Sequence, residues 1–177
     1  MQTLATSAFA IRAIVPDDRQ ALERFYEALS TDSLEARFHG GAPRISDSAA
    51  CFFCGPDHRM REGFVAEVVN AQGRRTIVGH LCIEPLEPAR PGVAEVAVVV
   101  ADAWHRRGVG RTLLAAAIVW AEHHGIDRLS AWLLLGNAAM LNLVRSSGRP
   151  VSFGTSDAGT IEAIIDVRAT SVAPRAA

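Results

Sequence analysis

Eight consecutive residues, Val93-Ala94-Glu95-Val96-Ala97-Val98-Val99-Val100, are apolar but for one glutamate. They lead into Trp104-His105-Arg106-Arg107-Gly108-Val109-Gly110-Arg111-Thr112 and then into the helix-forming run Leu113 to Ala121. A β-branched run without alternation predicts a strand covered on both faces, and so a central one. Strand, glycine-bearing turn and helix together present free backbone N–H groups and a helix N-terminus to an anion. Gly108 and Gly110 let the backbone come close to a phosphate, and the arginines at 106, 107 and 111 add charged donors. The stretch predicts a diphosphate-binding loop in an α/β fold.

Two common phosphate loops do not fit. A P-loop places Lys and Ser/Thr after glycines five apart. Here Gly110 is followed by Arg111-Thr112, position 105 is histidine, and the loop holds no lysine. A dinucleotide fingerprint needs a third glycine at the position of Leu113, and an acid at the end of the next strand, where Leu135-Gly136 stands instead.

The chain is long enough, at 177 residues and 49% hydrophobic, for one domain with a real core. The apolar run 113–121 is far short of the roughly 20 residues of a membrane span. A net charge of −1 argues against general nucleic-acid or membrane-surface binding. The start of the chain lacks a secretory pattern and the three cysteines do not suggest a disulfide framework, so cytoplasmic residence is expected.

Residues 1–8 read as a loose start. Phe9 to Val15 predicts a strand, Pro16-Asp17-Asp18 a helix start, and Leu22, Phe25, Tyr26 and Leu29 the inner face of a first helix. Asp32 with Glu35 resembles a capping box for a second short helix ending near Phe38. Ser46 to Cys54 predicts a further turn or two. Gly63 to Asn70 and Arg75 to Ile83 read as an antiparallel pair around a turn at 71–74. Beyond the central strand, the pattern gives a helix from Gly108 to His124, a strand from Leu129 to Leu135, a helix from Ala138 to Ser147, and terminal strands at Val151–Phe153 and Ile161–Val167. A single domain over 9–167 and a flexible tail over 168–177 follow.

The run 93–100 with Arg107-Gly108-Val109-Gly110-Arg111-Thr112-Leu113-Leu114 resembles the acetyl-CoA segment of the GNAT superfamily of N-acetyltransferases, and Asn137-Ala138-Ala139-Met140-Leu141 resembles its second CoA element. With Ile11-Arg12, Pro16-Asp17-Asp18, Leu29-Ser30, Arg37-Phe38 and Ile164-Ile165-Asp166-Val167, the chain is similar to the catalytic domain of bacterial Pat-type protein lysine acetyltransferases. The resemblance implies a GNAT acyl-CoA N-acyltransferase fold: α/β, a mixed and mainly antiparallel sheet with helices on both faces. It implies acetyl-CoA as cosubstrate and a direct transfer to an amine, with a protein lysine as favoured acceptor. A small-molecule amine acceptor and a non-catalytic acyl-CoA sensor are the alternatives.

The resemblance also implies site residues. Val98, Val99 and Val100 would present backbone groups to the pantetheine arm, with an N–H near Val98 facing the thioester oxygen. His105, Arg106, Arg107, Gly108, Val109, Gly110 and Arg111 would hold the pyrophosphate, and Asn137 the pantetheine, although Asn137 also suits a helix N-cap. His105 and Arg106 depart from the family's usual Gln/Arg and Gly. The amine must lose a proton before it attacks. Glu95, the only charge between Gly92 and Ala101, is the candidate base: the matching glutamate has that role in Pat-type enzymes, and partial burial favours basicity. An ion pair with Arg12 or Arg90 is the competing account. The thiol-protonating tyrosine of many GNAT enzymes would fall at Val144, and the only tyrosine is Tyr26, so no general acid is assigned. Cys51, Cys54 and His58 lack a second ligand pair, and no metal is expected. His123 and His124 suit the end of the helix dipole. The sequence leaves monomer and dimer both open.

Overall fold

The structure, a computed structural model, describes residues 9–40, 44–86, 88–157 and 159–169. The described residues form seven strands and five helices: β1 (Ala10–Ala13), α1 (Arg19–Glu27), α2 (Thr31–Phe38), α3 (Asp47–Cys54), β2 (Glu62–Val69), β3 (Arg75–Pro85), β4 (Val93–Val100), α4 (Val109–His123), β5 (Arg128–Leu134), α5 (Ala138–Arg145), β6 (Val151–Asp157) and β7 (Thr160–Asp166). One sheet holds every strand, in the order β1-β2-β3-β4-β5-β7-β6. All neighbours are antiparallel except β4 and β5. The mixed, mainly antiparallel sheet and its flanking helices are those expected of the sequence.

Each sheet face has its own core. On one, Leu113, Leu114, Ala117, Ile118 and Ala121 of α4 pack on Ala66, Leu81, Ile83 and Val96, and Val144 of α5 joins them. On the other, Leu22, Phe25 and Tyr26 of α1 and Leu34 of α2 cover Val65, Ile77 and Val99. The β2–β3 hairpin turns on Asn70, whose side-chain oxygen accepts from the N–H groups of Gln72 and Arg74 at 3.0 and 2.9 Å. An asparagine side chain that copies a backbone turn in this way makes the 71–74 turn legible.

Some boundaries differ from the sequence expectation. The N-cap of α2 is Ser30, whose Oγ accepts from the Ser33 N–H, so Asp32 lies inside the helix instead of capping it. β3 runs on to Pro85. Arg168 is ion-paired with Asp127, and the Ala169 carbonyl accepts from Arg149, so the chain is held to residue 169. The expected loose start at 1–8 and the remainder of the tail, 170–177, lie outside the described residues. No helix among the described residues is long and apolar enough to cross a membrane.

The feature that creates a site is where β4 and β5 part. Their parallel pairing covers only Val93↔Arg128, Ala94↔Leu129 and Glu95↔Ser130. Beyond Glu95 the strands diverge while β4 stays paired with β3 as far as Gly79↔Val100. The sheet opens there into a V with Glu95 at its apex.

Candidate active site

The β4 edge inside the V carries unpaired backbone groups. Ala101 donates to the Val78 carbonyl at 2.9 Å, and Leu86 to Val93 at 3.0 Å at the other end of the same ladder. The register between them is unbroken, so odd-numbered β4 residues exchange bonds with β3. Val96, Val98 and Val100 therefore turn their N–H and C=O groups into the V. Their side chains join the α4-side core, and that of Val99 joins the opposite one. The Val100 carbonyl is taken by His105, whose Nε2–H donates to it at 2.8 Å.

The loop begins with a single 3₁₀ turn, Asp102–Trp104. Arg106 and Gly108 both take left-handed backbone, φ 58° and 85°. Gly108 supplies the N-cap residue of α4 and has no side chain to cap with. The N–H groups of Trp104 and His105 bond back within the 3₁₀ turn, to the carbonyls of Ala101 and Asp102 at 2.7 and 3.2 Å, and the next to do so is that of Thr112, to the Gly108 carbonyl at 3.0 Å. Among the described residues no carbonyl accepts from the N–H groups of residues 106–111. Arg106, Arg107 and Arg111 are exposed and form no ion pair among the described residues. The Arg107 guanidinium lies 5.1 Å from the Trp104 ring centroid. A left-handed turn with free N–H groups, at a helix N-terminus among exposed guanidinium groups, has the donors and charge that an oxyanion requires.

A cavity of about 240 Å³ fills the V on the α2 side, lined by Glu95, Val98, Arg37, His39, Trp132 and Met140 among others. Glu95 is half-buried, and no hydrogen bond or ion pair reaches its carboxylate among the described residues. Both arginines that might have paired with it are committed elsewhere. Arg12 binds Asp18 at 2.6 Å and Glu67 at 3.0 Å, and Arg90 binds Glu162. The neighbouring acids are satisfied: Glu84, directly opposite on β3, holds Arg61 at 2.6 and 3.1 Å, and Glu162 also accepts from Ser130 Oγ at 2.5 Å.

Sequence reasoning missed a buried cluster beneath this cavity. Tyr26 Oη and His80 Nδ1 share a hydrogen bond of 2.9 Å, and Arg37 Nη2 donates to Cys82 Sγ at 3.2 Å. Burial, assisted by the charge of Arg37, holds the His80 imidazole neutral, its pKa pushed down to about 3. Burial pushes the Tyr26 hydroxyl well above its ordinary value. Tyr26 thus belongs to the core and does not reach the open V. The histidine gave no sequence signal beyond its place in an otherwise apolar strand.

Asn137 caps α5, its Oδ1 accepting from the Met140 N–H at 3.0 Å, which leaves its NH₂ group for other partners. Val144 is buried. His123 and His124 bond to the carbonyls of Val119 and Trp120, at the helix end where a donor is useful. Among the described residues no three His, Cys, Asp or Glu side chains group closely enough to hold a metal.

The acetyltransferase (GNAT) family matches residues 22–148. The chain belongs to this family. It is similar to the acetyltransferase Pat of Mycolicibacterium smegmatis, 33% identical over 115 residues, 65% of this chain. The matched segment spans 31% of the length of that relative. It is also similar to the GNAT domain of S. lividans PAT, with a TM-score of 0.76 and 26% identity over 94% of this chain and 99% of that one. The fold is shared with yncA, a putative acetyltransferase of Salmonella typhimurium solved with its cofactor acetyl-CoA, at a TM-score of 0.72 and 20% identity, covering 96% of this chain and 99% of that one. In this GNAT chain the glycine loop, the split strands and Asn137 all fall at one end of the V.

Proposed function

We propose that the protein transfers the acetyl group of acetyl-CoA directly to an amine, in a complex holding both, and that the favoured acceptor is a lysine side chain of a protein. The observation that carries the reading is an unpartnered carboxylate, Glu95, at the apex of a V whose other wall is an unpaired strand edge. A carboxylate that is half-buried and without a hydrogen bond or ion pair is costly, and where the other buried acids among the described residues are matched it favours a working role over a structural one.

The roles follow from position. The N–H groups of 106–111, with Arg106, Arg107 and Arg111, would receive the pyrophosphate. The backbone groups of Val98 and Val100 would pair with the pantetheine arm, whereas those of Val99, expected from the sequence to join them, are bonded to β3 and face away from the V. The free NH₂ of Asn137 would also donate to the arm. His105 occupies the Val100 carbonyl, so an arm pairing there displaces that ring. The Val98 N–H would face the thioester oxygen and stabilise the charge that develops on it as the amine attacks. Glu95 would take the proton that the ammonium must lose. The thiolate leaves without a side-chain acid, since Tyr26 is buried against His80.

The protein-lysine acceptor rests on the similarity to Pat. A small-molecule amine is the second reading, favoured by the His39 ring, which lines the cavity and whose Nε2 donates to the Trp132 carbonyl on its other side at 3.1 Å. Cytoplasmic residence and solution as a monomer or dimer accord with either acceptor. The decisive comparison is acetyl-proteomics of a deletion strain beside wild type, with steady-state CoA release across amines and lysine-bearing proteins. Lysine sites lost on deletion support the first reading. Turnover of free amines with an unchanged acetylome supports the second. Acetyl-CoA binding without turnover of any amine would leave only a sensor.

A further inference from the structure

The acceptor cavity is walled by a short helix whose first turn has little packing of its own. α2 has one buried residue, Leu34. Its last turn, Ala36 to Phe38, and the following His39 nevertheless line the cavity facing Glu95. The last turn has anchors of its own, Phe38 beside Tyr26 with ring centroids 5.8 Å apart and Arg37 on Cys82 Sγ at 3.2 Å, while the first turn, with little apolar burial, is placed by what grips the N-terminus.

The grip at the N-terminus comes from the far side of the V. Asp102, two residues beyond β4 and at the entrance to the arginine loop, accepts from Ser30 Oγ at 2.6 Å and Ser33 Oγ at 2.8 Å through one carboxylate oxygen. The other oxygen accepts from the Ser30 N–H at 3.0 Å. Ser30 Oγ in turn accepts from the Ser33 N–H at 3.2 Å. Burial disfavours the Asp102 charge, but the serine donors outweigh it and hold its pKa down to about 2. At the other end His39, in a left-handed conformation, reaches the Trp132 carbonyl on β5. α2 is thus strung between the two diverging arms, from the exit of β4 to β5.

We propose that Asp102 is a positioning residue for the transfer reaction, fixing α2 so that Arg37, Phe38 and His39 stand opposite Glu95. This rests on the reading of the cavity as the acceptor site. A wall displaced by an ångström disturbs the approach of the amine, which rates feel strongly. The cofactor side is built from residues 106–111 and the β4 edge and does not depend on α2.

The test compares wild type with Asp102→Asn and with Ser30→Ala/Ser33→Ala. Asparagine matches the shape, but in either orientation it sets an NH₂ against serine donors. Three quantities are measured: amide hydrogen exchange over residues 34–39, acetyl-CoA Kd by calorimetry, and the KM and kcat for an amine that wild type acetylates. The expected result is exchange at least tenfold faster over 34–39, and kcat/KM for the amine lowered ten- to a hundredfold, mainly through KM. Acetyl-CoA Kd should stay within threefold. Unchanged exchange over 34–39 overturns the proposal, as does a loss of acetyl-CoA affinity as large as the loss of kcat/KM. Hydrogen exchange needs no turnover, so a wild type that acetylates nothing sinks the acceptor-site reading while the clamp is still decided. If Asp102→Asn does not fold, Ser33→Ala, which removes one of three bonds, is judged by the same criteria.

Discussion

Glu95→Gln separates a working carboxylate from a structural one, because the two accounts predict opposite costs. The carboxylate has no hydrogen bond or ion pair to lose among the described residues. It does have a like charge directly opposite, Glu84, on the neighbouring antiparallel strand, and a cation across the cavity, Arg37, whose charge attracts it and offsets part of that repulsion. Like charges facing across such a rung oppose folding by roughly 0.2–1 kcal/mol, and Arg61 already offsets part of that. Stability should therefore stay level or rise by up to about 0.5 kcal/mol, a Tm change of about 0–2 °C for a chain of this size. Turnover should fall by about 10²–10⁴, the usual worth of a positioned base, with acetyl-CoA Kd unchanged. Glu162→Gln is the contrast: it breaks the bonds to Arg90 and Ser130 and should cost about 1–2 kcal/mol. Urea unfolding with linear extrapolation and a thiol assay for released CoA report both quantities on the same preparations. Loss of more than about 1 kcal/mol in Glu95→Gln, with turnover retained, would show that Glu95 is a structural residue.

Gly79→Ala should be destabilising by about 1–3 kcal/mol, since a Cβ there meets Leu113 Cδ1 and Val109 Cγ1 at 3.0 Å and pushes out the first turn of α4. The same variant should weaken acetyl-CoA binding several-fold by calorimetry. Gly108→Asp puts a side chain on left-handed backbone and sets a negative charge at the cradle, so acetyl-CoA affinity should drop at least tenfold, and unchanged affinity would mean the loop is misassigned. His80 titrates far lower in the folded chain than its unfolded value of roughly 6.5, so the unfolded state binds the extra proton. Stability should be full above pH 6.5 and decline as pH falls toward 3, at up to about 1.4 kcal/mol per unit, with the decline above pH 4 reduced in His80→Asn. All 18 basic Lys/Arg positions of the chain are arginine, so incubation with acetyl-CoA should give no acetyl-lysine on the chain itself by peptide mass analysis, and acetyl-lysine in an assay comes wholly from the acceptor.

The centre of the fold was legible because its signals are local. The run of β4, apolar but for Glu95, the two glycines and the α4 run identify strand, loop and helix within about thirty residues, and Asn137 announces its own cap. Where β4 and β5 stop pairing was not legible: both stay apolar past Glu95, and only tertiary geometry ends their ladder at Ser130. The sequence marked Glu95 as an isolated charge, but not that its neighbours Glu84 and Glu162 would be matched and it would not. Contacts between distant segments were hidden for the same reason. Asp102 and the serines of α2 lie 69 and 72 residues apart, and the acid at position 32 drew attention from the serine that does the capping. Tyr26 and His80, 54 residues apart, meet only once α1 lies on β3.

The measurement that bears most directly on the central claim is an amide NMR titration of the ¹⁵N-labelled protein with adenosine diphosphate and with acetyl-CoA. The claim is that the arginine loop holds the diphosphate while the thioester lies in the V beside Glu95. Adenosine diphosphate should shift the amides of residues 106–111 and leave Val98 in place. Acetyl-CoA should shift both groups, with Val98 and Val100 among the largest changes. Shifts by acetyl-CoA that spare both 106–111 and Val98 would contradict the account.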